Sequence, residues 1–397
     1  MTKLARSFIR PSPQWLLVLL VLLVLLPLST SRIPTSLWTD LERLSRIADI
    51  AYCVGTSGVR KPFRCLSHCS DFPDLSLATT WHTGMLLSDS CGYIAYDAST
   101  SSILVVFRGT YSVANTMVDL SSVPQPYMPY PPSTAPDDED DNDGRRRRRR
   151  RFQCENCTVH TGFYQSWLNA RHLVLPEVKT LRELHPSATI HLVGHSLGGA
   201  VACLAALELI VSVGFRDVRV TSFGEPRVGN GGMARFVDSV FNLVVEEDHQ
   251  KGQGEAEDKD EDVKVQEEEE FRKDGSSYRR VTHFQDPVPL LPWDEWGYSS
   301  HAGEIFISKA GLSPSEEDLH PCFGDADAEC STALLGRQTG AAAYRSRALL
   351  SSSSPISPWP PLFAHRDYFL RLGLCVPGGD PANWARRERQ EKQPDEL

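Results

Sequence analysis

Residues 188–213 read ATIHLVGHSLGGAVACLAALELIVSV, and the fold turns on how this stretch is divided. Its first part, 188–194, is short, apolar and β-branched, the pattern of a buried strand. Its last part, 197–213, is nearly all apolar and long enough for a helix, so that helix is covered on every side. Between them stands Gly194-His195-Ser196-Leu197-Gly198, a G-x-S-x-G. A serine on a sharp strand-to-helix turn is held in strained backbone with its hydroxyl above the sheet. The flanking glycines let strand and helix come close, and the Leu197 N–H falls at a helix N-terminus, where the dipole favours an anion. The bland alternative is a plain glycine-rich turn, and it does not account for an apolar strand running in and an apolar helix running out.

Outward from this point the alternation continues. Residues 102–107 (SILVVF) and 217–223 (DVRVTSF) read as buried strands, and Tyr278–Phe284 is strand-like. Residues 160–184 carry Phe163, Trp167, Ala170, Leu173, Val178 and Leu181 at helical spacing. Strands alternating with helices predict an α/β protein: a mostly parallel central sheet with helices on both faces. The 397 residues, 41% of them hydrophobic, suffice for one large domain.

Three stretches break the pattern. Residues 124–151 begin Pro-rich, pass through Asp137–Asp143 and end in Arg145–Arg151; 246–275 are mostly charged; 331–361 are rich in Ser, Ala and Pro. None has the apolar content to offset its ordering entropy. All three read as surface insertions in a single domain, 32–397. The arginine run is preceded directly by acidic residues, so it reads as a self-neutralising solvated loop; a dibasic processing site and a handle for anionic lipid are the other readings. The formal net charge of −10 gives no basic footprint for nucleic acid.

Residues 1–31 read as a signal peptide. Lys3, Arg6 and Arg10 precede the apolar Trp15–Leu28, and small residues follow at Ser29–Ser31. The apolar stretch is 14 residues, short of the roughly 20 that span a bilayer. Secretion, or residence in the secretory lumen, is therefore expected, with an uncleaved membrane anchor as the alternative. Export permits disulfides among the ten cysteines. Cys154-x-x-Cys157 lacks the partners of a zinc site and reads as a loop staple, with no metal and no cofactor implied. Asn156-Cys157-Thr158 is an N-glycosylation sequon.

A serine nucleophile needs a base oriented by a carboxylate, and in α/β-hydrolases these follow it in the order Asp/Glu, then His. Asp286, in Asp286-Pro287-Val288-Pro289 just past a strand, sits in a stiff loop suited to a functional carboxylate; Asp294 and Glu295 read as surface. His195 is expected to project away along the strand end, a poor base. His283, His301, His320 and His365 compete, and the residues alone leave His301 and His365 undecided.

Five stretches together resemble the fungal class 3 lipases, a branch of the α/β-hydrolases. They are Val106–Thr110 (VFRGT), Val159–Phe163 (VHTGF), Gly194–Ala200, Gly224–Asn230 (GEPRVGN), and Asp286–Pro289 with Leu291-Pro292. The segment Ala364–Cys375 resembles the family's terminal stretch, and the His301 stretch resembles one that does not carry catalysis. The resemblance implies Ser196 as nucleophile, Asp286 as acid, His365 as base, and Thr110 with Leu197 as oxyanion donors. It implies disulfides Cys53–Cys375, Cys65–Cys69, Cys154–Cys157 and Cys322–Cys330, leaving Cys91 and Cys203 over. It also implies a short lid helix, here Tyr111–Leu120, in which Val113, Met117, Val118 and Leu120 read either as a small apolar face or as ordinary packing. The implied substrate is a lipid ester, met at a lipid–water interface or by peripheral membrane contact. Feruloyl-type or other carboxylesterases and phospholipases are alternatives on the same triad, and a silent binding protein on the same fold is a further one.

Overall fold

Among the described residues the strands form two sheets, and the buried apolar side chains form two clusters. The structure, a computed structural model, describes residues 33–84, 89–110, 124–127, 154–243, 277–324, 327, 330–331 and 364–381. The leader, the lid stretch 111–120, the arginine run and nearly all of the three insertions lie outside the described residues. Among those described, the helices are α1 (Thr35–Ile50), α2 (Thr161–Leu184), α3 (Leu197–Glu208) and α4 (Gly231–Phe241). The strands are β1 (Leu75–His82), β2 (Cys91–Asp97), β3 (Ser102–Phe107), β4 (Pro124–Pro126), β5 (Thr158–His160), β6 (Thr189–His195), β7 (Val218–Phe223), β8 (Gly229–Asn230), β9 (Ser277–His283), β10 (Tyr298–Ser299), β11 (Glu304–Ile307) and β12 (Leu319–Pro321).

The central sheet runs β1-β2-β3-β6-β7-β9-β11-β12. Its middle pairs, β3·β6, β6·β7, β7·β9 and β9·β11, are parallel, and its flanks are antiparallel. Parallel strands are buried on both faces, which explains their continuous apolar runs. Alternate residues serve opposite faces. Ile103, Val105 and Phe107 of β3 pack with α2, α3 and α4, as do Ile190 and Leu192 of β6. Leu104 and Val106 face the other way, onto α1 and the terminal Tyr368–Leu372. The parallel strands end at one edge of the sheet, and there the chain turns into the candidate site.

Two features differ from the sequence reading. The helix expected over 197–213 stays α-helical only to Glu208 and closes as a π-turn, Leu209–Val213, before Gly214 at φ 87°. A second sheet, β10-β8-β5-β4, is antiparallel and had no pattern to announce it. Its strands are two or three residues long, too short for a period of two to register. Its edge strand β4 occupies the start of the expected 124–151 insertion, where Pro124 and Pro126 are tolerated because an edge strand need not donate on both sides. Beyond it Tyr127 is buried, its N–H bonded to the Cys157 carbonyl at 2.9 Å. Disulfides join Cys53–Cys375, Cys65–Cys69, Cys154–Cys157 and Cys322–Cys330. Cys91 and Cys203 are free and buried. No helix among the described residues is long and apolar enough to cross a membrane.

Candidate active site

β6 delivers Ser196 to the point where α3 begins. Ser196 has φ 59° and ψ −131°, a left-handed backbone that costs a non-glycine residue on the order of 1–3 kcal/mol. The surroundings hold it there: its N–H donates to the Phe223 carbonyl of β7 at 2.8 Å, and its own carbonyl accepts from Gly199 N–H at 2.9 Å. Glycine is needed on both sides for reasons of space. A Cβ on Gly194 would strike the Gly198 carbonyl, and one on Gly198 would strike the Phe107 carbonyl. Gly109, after β3, packs on the turn just as closely, since a Cβ there would lie 2.9 Å from Ser196 Cβ. Half-buried Thr110 follows it. Leu197 opens α3, so the first N–H groups of that helix lie beside the serine. Ser196 is 1% exposed, and its hydroxyl has no hydrogen-bond partner.

Asp286 follows β9, its Oδ1 capping the next turn by accepting Val288 N–H at 2.9 Å. Its Oδ2 accepts from His365 Nδ1 at 2.9 Å and from the Tyr368 hydroxyl at 2.5 Å. Both Asp286 and His365 are buried. Burial alone would raise the Asp286 pKa; the neighbouring His365 and the hydrogen bonds from His365, Tyr368 and Val288 outweigh it and hold the carboxyl below its usual range. Phe223 and Gly224 connect this pair to the serine. Phe223 takes the Ser196 N–H, and a Cβ on Gly224 (φ 62°) would touch His365 Cε1 and Asp286 Oδ2. His365 Nε2, like the Ser196 hydroxyl, is buried without a hydrogen-bond partner. A carboxylate-oriented imidazole with one open nitrogen and an unpaired serine hydroxyl at a helix N-terminus are the groups that acyl transfer requires.

The lipase (class 3) family model matches residues 104–296. A secreted mono- and diacylglycerol lipase 2 of Gibberella zeae is 50% identical over 392 residues, 92% of this chain and 89% of that one. This chain belongs to the class 3 lipase family. It is a carboxylic-ester hydrolase. Lipase A of Sodiomyces alcalophilus is 47% identical over 395 residues, 91% of this chain and 88% of its own. The crystal structure of the Lip2 lipase from Yarrowia lipolytica superposes with a TM-score of 0.65 at 27% identity, covering 87% of this chain and 97% of that one.

In this lipase the two histidines that the residues alone left undecided lie in separate places. His301 Nδ1 donates to the Ala302 carbonyl at 2.8 Å, and its Nε2 faces Glu225 Oε1 at 3.4 Å. Both ring nitrogens are therefore engaged. Glu225, buried just past β7, also accepts from Ser222 and from the Tyr278 hydroxyl at 2.7 Å. The ligand atoms of Cys203, Glu225 and His301 come within 4.8 Å of one another, a spacing that would suit a metal ion. Two hydroxyls on Oε2 and the His301 ring facing Oε1 make it a hydrogen-bonded network. The sequence pointed to Glu225 and His301 as parts of motifs but not to their pairing. His195, expected to project away from the serine along the strand end, is buried, and its ring stacks on that of His365 at 4.8 Å.

Proposed function

We propose that this enzyme cleaves acylglycerol esters by two-step acyl transfer through Ser196. The observation that carries the reading is the pair of buried, unpartnered atoms, Ser196 Oγ and His365 Nε2, with Asp286 fixing the imidazole through Nδ1. His365 takes the serine proton as the hydroxyl attacks the ester carbonyl. The oxyanion is received by the Leu197 N–H and by Thr110, each donor worth about 3–4 kcal/mol of barrier. The tetrahedral intermediate collapses as His365 protonates the leaving glycerol oxygen. Water, deprotonated by His365, then attacks the acyl-enzyme and releases the fatty acid and Ser196. Asp286 stabilises the imidazolium at each stage without taking its proton.

The likeness to a secreted mono- and diacylglycerol lipase supports partial glycerides as substrates. Four disulfides support passage through an oxidising compartment after removal of residues 1–31. Residues 32–397 then form one domain that meets its substrate at a lipid–water interface. Asn156, exposed in its disulfide-closed loop, is the proposed glycan acceptor. The deciding assay compares wild type and Ser196→Ala on emulsified mono-, di- and triolein and on a short p-nitrophenyl ester. The proposal expects release of oleate from mono- and diolein and about a 10⁶-fold loss of kcat in the mutant. Hydrolysis confined to the short soluble ester would replace the lipid substrate with a carboxylesterase one, and an active Ser196→Ala would remove the nucleophile.

A further inference from the structure

Three segments distant in sequence meet at His195. Its Nε2 lies 2.8 Å from the His365 carbonyl oxygen, which only accepts, so Nε2 carries the proton and donates. The neutral ring then has a lone pair on Nδ1, and the Tyr52 hydroxyl donates to it at 2.6 Å. One tautomer serves both bonds. All three residues are buried. Tyr52 sits in the short 3₁₀ turn after α1, next to Cys53, whose disulfide ties the same turn to Cys375 beyond His365. The Tyr52 hydroxyl also lies against the backbone ahead of Thr110: a Cβ on Gly109 would come within 2.6 Å of it.

From this geometry we infer that His195, anchored by Tyr52, is a positioning residue that fixes the backbone of His365 and so the place of its open Nε2. The inference rests on the proposed roles of Ser196 and His365. Asp286 orients the imidazole from its Nδ1 side, but a side-chain bond cannot fix where the backbone starts. His365 belongs to neither sheet, so the His195 bond to its carbonyl supplies that constraint directly at the residue. The stacked ring must also stay uncharged, because an imidazolium 4.8 Å away would oppose the one that forms on His365. Burial, with the neighbouring His365 and Arg366 charges acting the same way, pushes His195 down to about 3 against its bond to the His365 carbonyl and the pull of Asp286. On its other side stands Tyr52, which burial keeps protonated despite Arg108 and Arg366.

The test uses the disulfide-intact enzyme as wild type, Ser196→Ala, Tyr52→Phe, His195→Phe and His195→Gln. Active sites are titrated with a p-nitrophenyl phosphonate, and kcat and KM for p-nitrophenyl butyrate are expressed per titrated site. His195→Phe is expected to lower kcat per site about 30–100-fold with KM within about twofold, the cost of a misplacement near 1 Å. His195→Gln, whose amide can donate to the same carbonyl, is expected to recover to within about tenfold of wild type, and Tyr52→Phe to lose about 3–10-fold. A loss confined to the number of titrated sites, with kcat per site unchanged, would mean a purely structural role and overturn the inference. If His195→Phe does not fold, Tyr52→Phe decides, since it removes a single oxygen: wild-type kcat per site there overturns the inference too. Ser196→Ala separates the two levels. Its inactivity leaves any failure with His195 alone, whereas its activity overturns the proposed function and the positioning role together.

Discussion

Two buried clusters at the ends of neighbouring parallel strands use the same three kinds of side chain to different ends. After β9, Asp286 accepts from His365 and from the Tyr368 hydroxyl. After β7, Glu225 accepts from the Tyr278 hydroxyl and faces His301. Both carboxyls are held below their usual range, in each case against burial, by a histidine and hydroxyl donors. What separates them is the far side of the imidazole. His365 keeps Nε2 without a partner, while the second nitrogen of His301 is spent on the Ala302 carbonyl. A carboxylate–histidine pair is therefore not distinctive in itself; under the proposed mechanism the open nitrogen of His365 is what sets it apart. The Glu225 cluster instead braces the elbow from below, since a Cβ on Gly199 would meet Ser222 and Glu225 at 3.0 and 3.1 Å.

If the contrast is right, mutations should split cleanly between rate and stability. The largest effect is expected from Asp286→Asn, about 10⁴-fold in kcat on p-nitrophenyl butyrate, because the amide favours the wrong imidazole tautomer. A loss under tenfold would dissolve the distinction from the catalytic side. Glu225→Ala should do the reverse. With kcat per titrated site within about threefold of wild type, it should cost roughly 3 kcal/mol in urea unfolding, because Tyr278, Ser222 and His301 lose their buried acceptor. A kcat collapse at full site titre would make Glu225 part of the chemistry. Cys53→Ser with Cys375→Ser opens a bridge spanning 322 residues, expected to be worth about 3–5 kcal/mol. Because that bridge flanks the His365 segment and not the Glu225 cluster, the double mutant should also lose activity on mild warming before its global unfolding, followed by near-UV circular dichroism; simultaneous loss would sink that expectation.

The smallest expected difference is in acid. The depressed Asp286 and Glu225 both contribute stability that is present above the ordinary carboxyl range and lost only as pH falls through their lower folded values. Mild acid should thus not distinguish the clusters. Buried histidines act earlier, His283 among them, its pKa also lowered chiefly by burial. His195 and His191 are both pushed down to about 3, chiefly by burial, so the unfolded chain binds their protons first. Their contribution is complete above about pH 6.5 and declines as pH falls toward 3. The urea midpoint should fall from pH 7 to pH 4, and a flat profile would contradict the assigned burial of both rings.

The sequence by itself determined the class and much of the site. Patterns carried by contiguous residues were legible: the apolar runs of β3, β6 and β7, the helical spacing of α2, and the glycines that let Ser196 turn between strand and helix. Each reflects a local constraint, the packing of a pleated or helical face or the room a backbone needs. Family resemblance narrowed the base to His365, which composition and spacing could not separate from His301. The tertiary structure alone decided what depends on partners far apart in sequence. It sent Glu225 to His301 and Tyr278, formed the small second sheet from strands too short to show a period, and turned the His195 ring onto His365 under the Tyr52 hydroxyl. Whether a buried nitrogen is left open or satisfied depends on which groups folding brings against it, and no stretch of neighbouring residues encodes that.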